Sequence, residues 1–344
     1  KGEIMNITIK KKLEEDRPLA FDKKVLQREM AKGEPMVKWF YKEDPAPIED
    51  LDLETLRTDM TKGGEDITST PMEEFKKLIR VGKHMIQVTV YKKEGEDIQR
   101  PGILFIHGGG FFGGAVEAKG NQCRYLAEQS DAVVVSPEYR LSPETPYPGA
   151  IEDVLGTLDW MTDHADELGM DRKRIAVSGE SAGGTLAVNC CLLDTKKRIK
   201  LAAVIYGALD VLPAEQTAYH WDYSKYEMDE SQKDYIMNRL YRFKKLSKYM
   251  EKLYVPEGFD PGDGNISPVY AKDVTNMPKT VMIEAEFDYY RLSNEVFVEK
   301  MIQEGKDVEV ILYEGLDHGF FDRLGRLPQT ADCIEEIARR VKEI

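Results

Sequence analysis

Cysteine, long apolar runs and positive charge are all scarce in this sequence. Its 344 residues include four cysteines, which are Cys123, Cys190, Cys191 and Cys333. Because their spacing matches neither a zinc site nor a CxxC pair, we expect buried or half-buried free thiols rather than a disulfide framework or a metal site. No apolar stretch approaches the roughly 20 residues that cross a bilayer, so no membrane span is predicted.

The shortage of positive charge bears on the partner. The sequence has 48 Lys and Arg against 62 Asp and Glu, which gives a formal net charge of -14. Phosphate binding needs clustered Lys and Arg, so nucleic acid and anionic membranes are not the expected partners. A small neutral or cationic substrate fits this charge better. The N-terminal lysines are not followed by an apolar segment, so we predict no secretory signal and a cytoplasmic location.

From about residue 84, short β-rich runs alternate with longer helix-like segments. This rhythm is typical of an α/β fold, in which helices cover both faces of a parallel sheet. The predicted strands are residues 85–91, 102–106, 132–136, 174–179, 201–207, 280–286 and 308–314, and the predicted helices lie near residues 118–130, 149–167, 182–195, 292–304 and 328–343.

Two blocks depart from that rhythm. Residues 1–75 are charged and helix-leaning, and residues 211–268 separate two strands by far more than the dozen residues that a crossover needs. We predict an α/β core over 76–210 and 269–344, an N-terminal cap segment over 1–75, and a cap insertion over 211–268 above the carboxyl edge of the sheet. The aromatic residues of the insertion line a pocket or form the core of a small helical lid, and the cluster at 39–41 has the same ambiguity.

The segment GESAGG, residues 179–184, lies between a predicted strand and a predicted helix. This is the context of a GxSxG nucleophile elbow, in which a serine occupies strained backbone at the tip of a tight turn. Gly179 and Gly183 would leave room for the neighbouring chain, and Gly184 would let the helix approach the sheet closely. The turn would present Ser181 outward and the amide of Ala182 at a helix N-terminus, where an oxyanion is stabilised.

The segment HGGGFFGG, residues 107–114, follows the strand at 102–106. An oxyanion hole needs one amide from the residue after the nucleophile and another from the loop after an earlier strand. Glycines allow such amides to point into a site without an intervening side chain. Neither GxGxxG nor a GK[ST] ending follows, so a phosphate-binding loop is disfavoured.

Five segments together, HGGGFFGG, VVVSPEYRLSPETPYPGAIEDV, GESAGGTLA, EFDYYR and DHGF, occur in family order over residues 100–320. With them the chain resembles the hormone-sensitive-lipase-like branch of the α/β-hydrolase esterases. The resemblance implies an eight-stranded, mostly parallel sheet with a helical cap. It also implies oxyanion amides at Gly109, Gly110 and Ala182, with His107 holding the loop by hydrogen bonds.

A serine needs a base to remove its proton, and an acid must orient that base. In this fold the chain order is serine, acid, histidine. Two histidines follow Ser181: His220 lies within the predicted cap, whereas His318 follows a strand, so His318 is the expected base. Asp288 is the expected acid, with Glu286 as the alternative; Glu284 is a further carboxylate on that strand.

Two groups of nearby residues are expected to take no part in the chemistry. Tyr139, Arg140 and Glu144 are predicted to form a buried brace beneath the site. Asp317 and Asp322 lie too close to His318 in sequence to turn behind its ring, and they are expected to be solvated.

The resulting hypothesis is a serine carboxylesterase that cleaves short- to medium-chain acyl esters through an acyl-enzyme, with no metal and no organic cofactor. An amidase or arylformamidase with the same residues is the alternative, and a ligand-binding relative without activity is a third. The expected partner is a small-molecule ester, and the sequence is compatible with a homo-oligomer.

Overall fold

A computed structural model describes residues 8–11, 52–61, 63–95, 98–230 and 232–344. Within these ranges nine strands form one sheet. They are β1 (Thr8–Lys11), β2 (Met72–Val81), β3 (His84–Lys93), β4 (Arg100–Ile106), β5 (Val133–Pro137), β6 (Met170–Glu180), β7 (Ile199–Ile205), β8 (Lys279–Ala285) and β9 (Val308–Tyr313).

Eight α-helices occur in the same described ranges. They are α1 (Leu53–Asp59), α2 (Gly120–Ser130), α3 (Gly149–Asp163), α4 (Ala165–Leu168), α5 (Ala182–Leu193), α6 (Lys233–Tyr254), α7 (Arg291–Gln303) and α8 (Pro328–Val341). Every residue of β4 and β5 is buried, as expected of parallel strands with helices on both faces. The predicted α/β sheet is therefore confirmed, and the four cysteines are buried free thiols.

The order of the strands explains where a site forms. The sheet runs β1-β9-β8-β7-β6-β4-β5-β3-β2, and it is parallel except where β3 pairs with β2 and β5. After β4 the chain adds β5 on one side and then returns to add β6 on the other. A sheet of this kind has its crevice beyond the carboxyl ends of the strands where the direction of addition reverses. The loops after β4 and β6 meet there.

The edge strands were not predicted. β2 begins at the end of the charged, helix-leaning segment 1–75 and continues to Val81, and it forms a hairpin with β3 around Gly82, whose φ is +57°. Six of the ten residues of β2 are exposed. Its many charged residues are therefore explained by its position as an edge strand with one face exposed to solvent. β1 pairs in parallel with β9 at the opposite edge, in addition to the eight strands that the resemblance implies.

The described parts of the two predicted cap blocks contain α1 and α6. Helix α6 is 22 residues long and buries Ile236, Leu240, Phe243 and Met250 among others, so the insertion has more regular structure than the sequence reading gave it. The aromatic cluster at residues 39–41 lies outside the described residues. The division into core, N-terminal cap segment and cap insertion stays a prediction.

Candidate active site

Ser181 lies at the turn between β6 and α5, in the strained conformation that the GxSxG pattern predicts. Its φ is +55° and its ψ is -122°, in a region that non-glycine residues rarely occupy. The turn is fixed by its backbone: the amide of Ser181 donates to Ile205 O at 3.0 Å, and Ser181 O accepts from the amide of Ala208 at 3.1 Å. The strain is therefore held by β7 and the residues that follow it.

Three glycines make the elbow sterically feasible. A Cβ at Gly179 would overlap the Gly183 carbonyl, and a Cβ at Gly183 would overlap the carbonyls of Ile106 and His107. A Cβ at Gly184 would lie 2.8 Å from Gly207 Cα. The close approach of α5 to the strands therefore depends on missing side chains, as expected from the sequence.

The structure brings Ser181, His318 and Asp288 into one hydrogen-bonded chain. His318 Nε2 lies 2.7 Å from Ser181 Oγ, and His318 Nδ1 lies 2.7 Å from Asp288 Oδ2. Because the carboxylate accepts, Nδ1 carries the proton and Nε2 is left to accept from the serine hydroxyl. The other carboxylate oxygen of Asp288 accepts from the amide of Tyr290 at 2.8 Å, which fixes the orientation of the carboxylate.

The topology accounts for this convergence. Asp288 follows β8 and His318 follows β9, and these neighbouring parallel strands pair up to Ala285 and Tyr313. Both loops therefore leave the same edge of the sheet as the elbow. Asp288 is fully buried, and His318 and Ser181 are 6% and 9% exposed. The hydrogen bonds are thus shielded from water, which strengthens them.

The other candidate acids and the second histidine have different partners. Glu286 accepts from the amide of Gly315 at 2.7 Å. Glu284 is buried and accepts from Asn294 Nδ2 at 3.1 Å, and burial raises its pKa well above the usual value. His220 is exposed within the predicted cap insertion.

The glycine loop after β4 has the backbone that its composition predicts. Gly109 has φ +121° and Gly110 has φ +62°. Among the backbone hydrogen bonds of the described loops, none has the amide of Gly109 or Gly110 as its donor. Ala182 is the first residue of α5, so its amide is one of the donors that have no partner within the helix. These amides are the predicted oxyanion donors.

His107 is hydrogen-bonded to the backbone of this loop. It is fully buried, stacks on the Tyr139 ring at 4.3 Å, and donates from Nδ1 to Gly108 O at 2.8 Å. The Tyr139 hydroxyl in turn donates to His107 O at 3.0 Å. Burial lowers the pKa of His107 to about 4, so its ring is neutral at pH 7. This matches the structural role that the resemblance implies.

A buried charge cluster links the elbow to the glycine loop, and the sequence reading did not identify it. Glu180 Oε1 accepts from the amide of Gly108 at 2.6 Å and lies 3.6 Å from Lys119 Nζ. Lys119 Nζ also lies 2.7 Å from Asp322 Oδ1. Burial raises the pKa of Glu180. Burial works against the ammonium of Lys119, but its two carboxylate neighbours outweigh that effect and raise its pKa.

Two structural expectations near the site are wrong. The predicted brace is divided: Arg140 pairs with the fully buried Asp153, whereas Glu144 is largely exposed and pairs with Arg57 of α1 at 2.6 Å. Asp317 is not solvated but 1% exposed, and its Oδ2 lies 2.7 Å from Arg239 Nε. Asp322 is partly exposed, and its Oδ1 lies 2.7 Å from Lys119 Nζ.

The predicted cap insertion contacts the loop of the acid. Tyr226 donates from its hydroxyl to Asp288 O at 2.8 Å, and Trp221 Nε1 donates to Tyr289 O at 3.0 Å. Both side chains are buried. They are therefore packing residues that also bind the backbone of the acid loop, which sequence alone could not distinguish from pocket lining.

None of the helices in the described ranges combines the length and the apolar composition that a bilayer crossing requires. Within those ranges, no group of three or more His, Cys, Asp or Glu side chains is arranged to hold a metal ion.

A parallel sheet with a serine at a strand-to-helix elbow, facing a histidine and an aspartate from later loops, is the arrangement of an α/β-hydrolase. Residues 103–322 match the family described as alpha/beta hydrolase fold. The chain belongs to this family, in its hormone-sensitive-lipase-like branch.

The relatives and a solved structure agree on the activity class. The chain is 30% identical over 239 residues to esterase LipI of Mycobacterium tuberculosis, covering 69% of this chain and 71% of that protein. It is 28% identical over 218 residues to an arylesterase of Saccharolobus solfataricus, covering 63% and 67%. The structure of an esterase from Pyrobaculum calidifontis is similar with a TM-score of 0.74 at 27% identity, covering 90% of this chain and 98% of that one. The protein is a carboxylic ester hydrolase.

Proposed function

We propose that the protein is a serine carboxylesterase that hydrolyses short- to medium-chain acyl esters, with Ser181 as nucleophile, His318 as base and Asp288 as the orienting acid. The observation that supports this proposal is the pair of 2.7 Å contacts that joins the three side chains in a buried setting. Such a chain gives the serine a base within proton-transfer distance and gives the base a fixed tautomer.

In the first half of the reaction, Ser181 Oγ bonds to the ester carbonyl carbon while its proton moves to His318 Nε2. The carbonyl oxygen becomes an oxyanion, which the amides of Gly109, Gly110 and Ala182 stabilise by about 3 kcal/mol per donor in comparable sites. The carbon–oxygen bond to the alcohol then breaks, and the alcohol leaves with the proton from His318.

In the second half, water replaces the alcohol. His318 takes a proton from the water, whose oxygen bonds to the acyl carbon, and the collapse of this intermediate returns the proton to Ser181 Oγ. The products are a carboxylic acid and the free enzyme. Asp288 keeps its charge throughout and stabilises the imidazolium that forms twice in the cycle.

The preference for short- to medium-chain acyl groups is what the resemblance to the hormone-sensitive-lipase-like esterases implies. We therefore expect turnover to fall as the acyl chain lengthens.

The test is turnover of p-nitrophenyl esters of increasing acyl length by the native protein and by Ser181→Ala, with the exposed Ser224→Ala as matched control. We expect Ser181→Ala to reduce kcat by roughly 10⁵-fold or more and Ser224→Ala to leave it unchanged. Undiminished turnover by Ser181→Ala would refute the assignment of the nucleophile.

Two further measurements separate the alternatives. Matched p-nitroanilides report amide cleavage, and faster turnover of anilides than of esters would favour an amidase. A fluorophosphonate probe should label Ser181 in the native protein, whereas a ligand-binding relative without activity would stay unlabelled.

A further inference from the structure

Helix α6 of the predicted cap insertion contacts the loop that carries His318. Arg239 Nε donates to Asp317 Oδ2 at 2.7 Å, and Arg239 Nη2 donates to His318 O at 3.1 Å. The side chains of Asp317 and Arg239 are 1% and 10% exposed. One guanidinium thus binds the side chain before the histidine and the backbone of the histidine itself.

The charges around His318 show why this contact has consequences for a base. Asp288 contacts the ring at 2.7 Å, Glu180 lies on the elbow next to Ser181, and Asp317 is the preceding residue. One carboxylate therefore contacts the imidazole, and two more belong to residues adjacent in sequence to Ser181 and to His318. Arg239 forms a close ion pair with Asp317 Oδ2, while Arg323 Nη2 lies 3.6 Å from the other oxygen. A buried carboxylate without such a partner would favour protonation of the neighbouring base.

The same face of α6 also contacts the ring of the histidine. Phe243 follows Arg239 by one helical turn, and its ring centroid lies 4.6 Å from that of His318 in an edge-on arrangement. The Arg239 guanidinium carbon lies 4.7 Å from the Phe243 ring centroid. Residues four apart lie on one helix face, so the helix presents a guanidinium and a ring to the same loop.

The C-terminal end of α6 reaches the glycine loop. The Tyr254 ring stacks on Phe111 at 3.8 Å, and Tyr249 meets the Phe112 ring edge-on at 5.8 Å. From Arg239 to Tyr254 the helix extends about 22 Å. One rigid element therefore contacts the loop of the proposed base at one end and the loop of the proposed oxyanion hole at the other.

We propose that Arg239 is a positioning residue for the hydrolysis. It holds the His318 loop so that the ring stays between Asp288 and Ser181, and its charge offsets that of Asp317 next to the base. The base is then competent only when α6 is seated on the core. This inference depends on the proposed function, since it requires His318 to be the base.

The test compares Arg239→Met, Asp317→Asn and the double variant, with Lys245→Met as matched control. Lys245 is an exposed cation on the same helix, so its substitution removes the same charge without touching the loop. We expect Arg239→Met to lower kcat roughly 10- to 100-fold while KM changes less than about threefold, because Arg239 binds the loop and not the substrate. The rate of fluorophosphonate labelling should fall in parallel.

The pH profile separates positioning from a purely structural role. In Arg239→Met the carboxylate of Asp317 keeps only the more distant Arg323 as a partner, and this should move the acidic limb of kcat/KM to higher pH. In Asp317→Asn the unpaired guanidinium should move it to lower pH, and in the double variant the two shifts should cancel. Arg239→Lys, which restores the charge but not the second hydrogen bond, should recover part of kcat.

The outcomes are distinguishable. A kcat for Arg239→Met equal to that of Lys245→Met overturns the proposal, as does a loss confined to KM or to thermal stability with no shift of the acidic limb. If Arg239→Met does not fold, the isosteric Asp317→Asn decides, because an unmoved acidic limb in that variant also overturns the proposal. Failure of the proposed function itself would instead appear as activity in Ser181→Ala.

Discussion

At the scale of single residues, Gly109 shows how closely the backbone is fitted around the proposed oxyanion hole. Its φ of +121° is strained for any side chain, and a Cβ there would also overlap the carbonyl of Gly113 and approach the amide of Gly114 within 2.6 Å. An alanine must therefore displace the loop. Backbone strain and steric overlap are separate energetic costs of an alanine at this position. They can be measured separately because another glycine of the chain has positive φ without the overlap.

We predict that Gly109→Ala lowers kcat by roughly 10²- to 10³-fold, the loss associated with one displaced oxyanion donor, with a smaller change in KM. The matched control is Gly95→Ala: Gly95 has φ +106°, and a Cβ there would meet nothing within 4 Å. It carries similar backbone strain without the overlap. If both variants lose kcat equally in steady-state assays, the loss comes from backbone strain and not from the position of the amide.

At the scale of elements, helix α1 binds the glycine loop from the outside. Arg57 Nε donates to Phe112 O at 2.6 Å and Nη2 donates to Ser142 O at 2.8 Å. The same guanidinium binds both oxygens of Glu144, at 2.9 and 2.6 Å, and these bonds lower the pKa of Glu144 to about 2. One side chain thus joins α1 to two loops of the core.

We predict that Arg57→Met lowers kcat/KM by roughly 3- to 10-fold through the glycine loop, and lowers Tm by about 2–5 °C through the lost charge-assisted hydrogen bonds. The exposed Arg80→Met on β2 is the control for removal of one arginine. Calorimetry and ester turnover check the two effects. An unchanged kcat/KM with a lowered Tm would limit Arg57 to stabilising α1.

The strands and helices also show which structural features can be predicted from the sequence. The seven predicted strands and five predicted helices carry uniform apolar runs or clear breakers, because both of their faces or one whole stripe are buried. β2 was missed because an edge strand with a wet face has too few apolar residues. A helical lid or cap was expected in the insertion, but the bounds of α6 were not predicted. Ile236, Leu240, Phe243 and Met250 follow a helical period, but the aromatic and charged residues between them obscure it.

The residues of the candidate site also differ in how far the sequence alone identifies them. Ser181 and the glycines were identifiable because strained turns restrict residue type locally. His318 and Asp288 followed from chain order within a recognised fold. The ion pair between Arg239 and Asp317 joins positions 78 residues apart, and nothing local in the sequence marks either partner.

At the scale of the whole molecule, the buried His107 links stability to pH. Its pKa of about 4 in the folded protein lies below the ordinary histidine pKa of about 6.5, so the unfolded chain binds a proton more readily. Its contribution to the free energy of unfolding is therefore fully present above pH 6.5 and is lost as pH falls toward 4. The full difference corresponds to roughly 3 kcal/mol.

We predict that His107→Gln flattens the decrease in the free energy of unfolding between pH 6.5 and 4.5, measured by urea titration at several pH values. The exposed His84→Gln should keep the slope of the native protein. Glu180 has a raised pKa and contributes with the opposite sign, but it is present in all three proteins and does not affect the comparison. Equal slopes for His107→Gln and the native protein would contradict a neutral buried ring.

The pairing of β1 with β9 has a consequence for the order of assembly. Thr8 lies opposite Val310 and Lys11 lies opposite Tyr313, so about three hundred residues separate the two partners. On the ribosome, Thr8–Lys11 emerges before the other described strands and has no partner until β9, about three hundred residues later, has been synthesised. Closing so large a loop is entropically slow, which makes this edge the natural last step of folding.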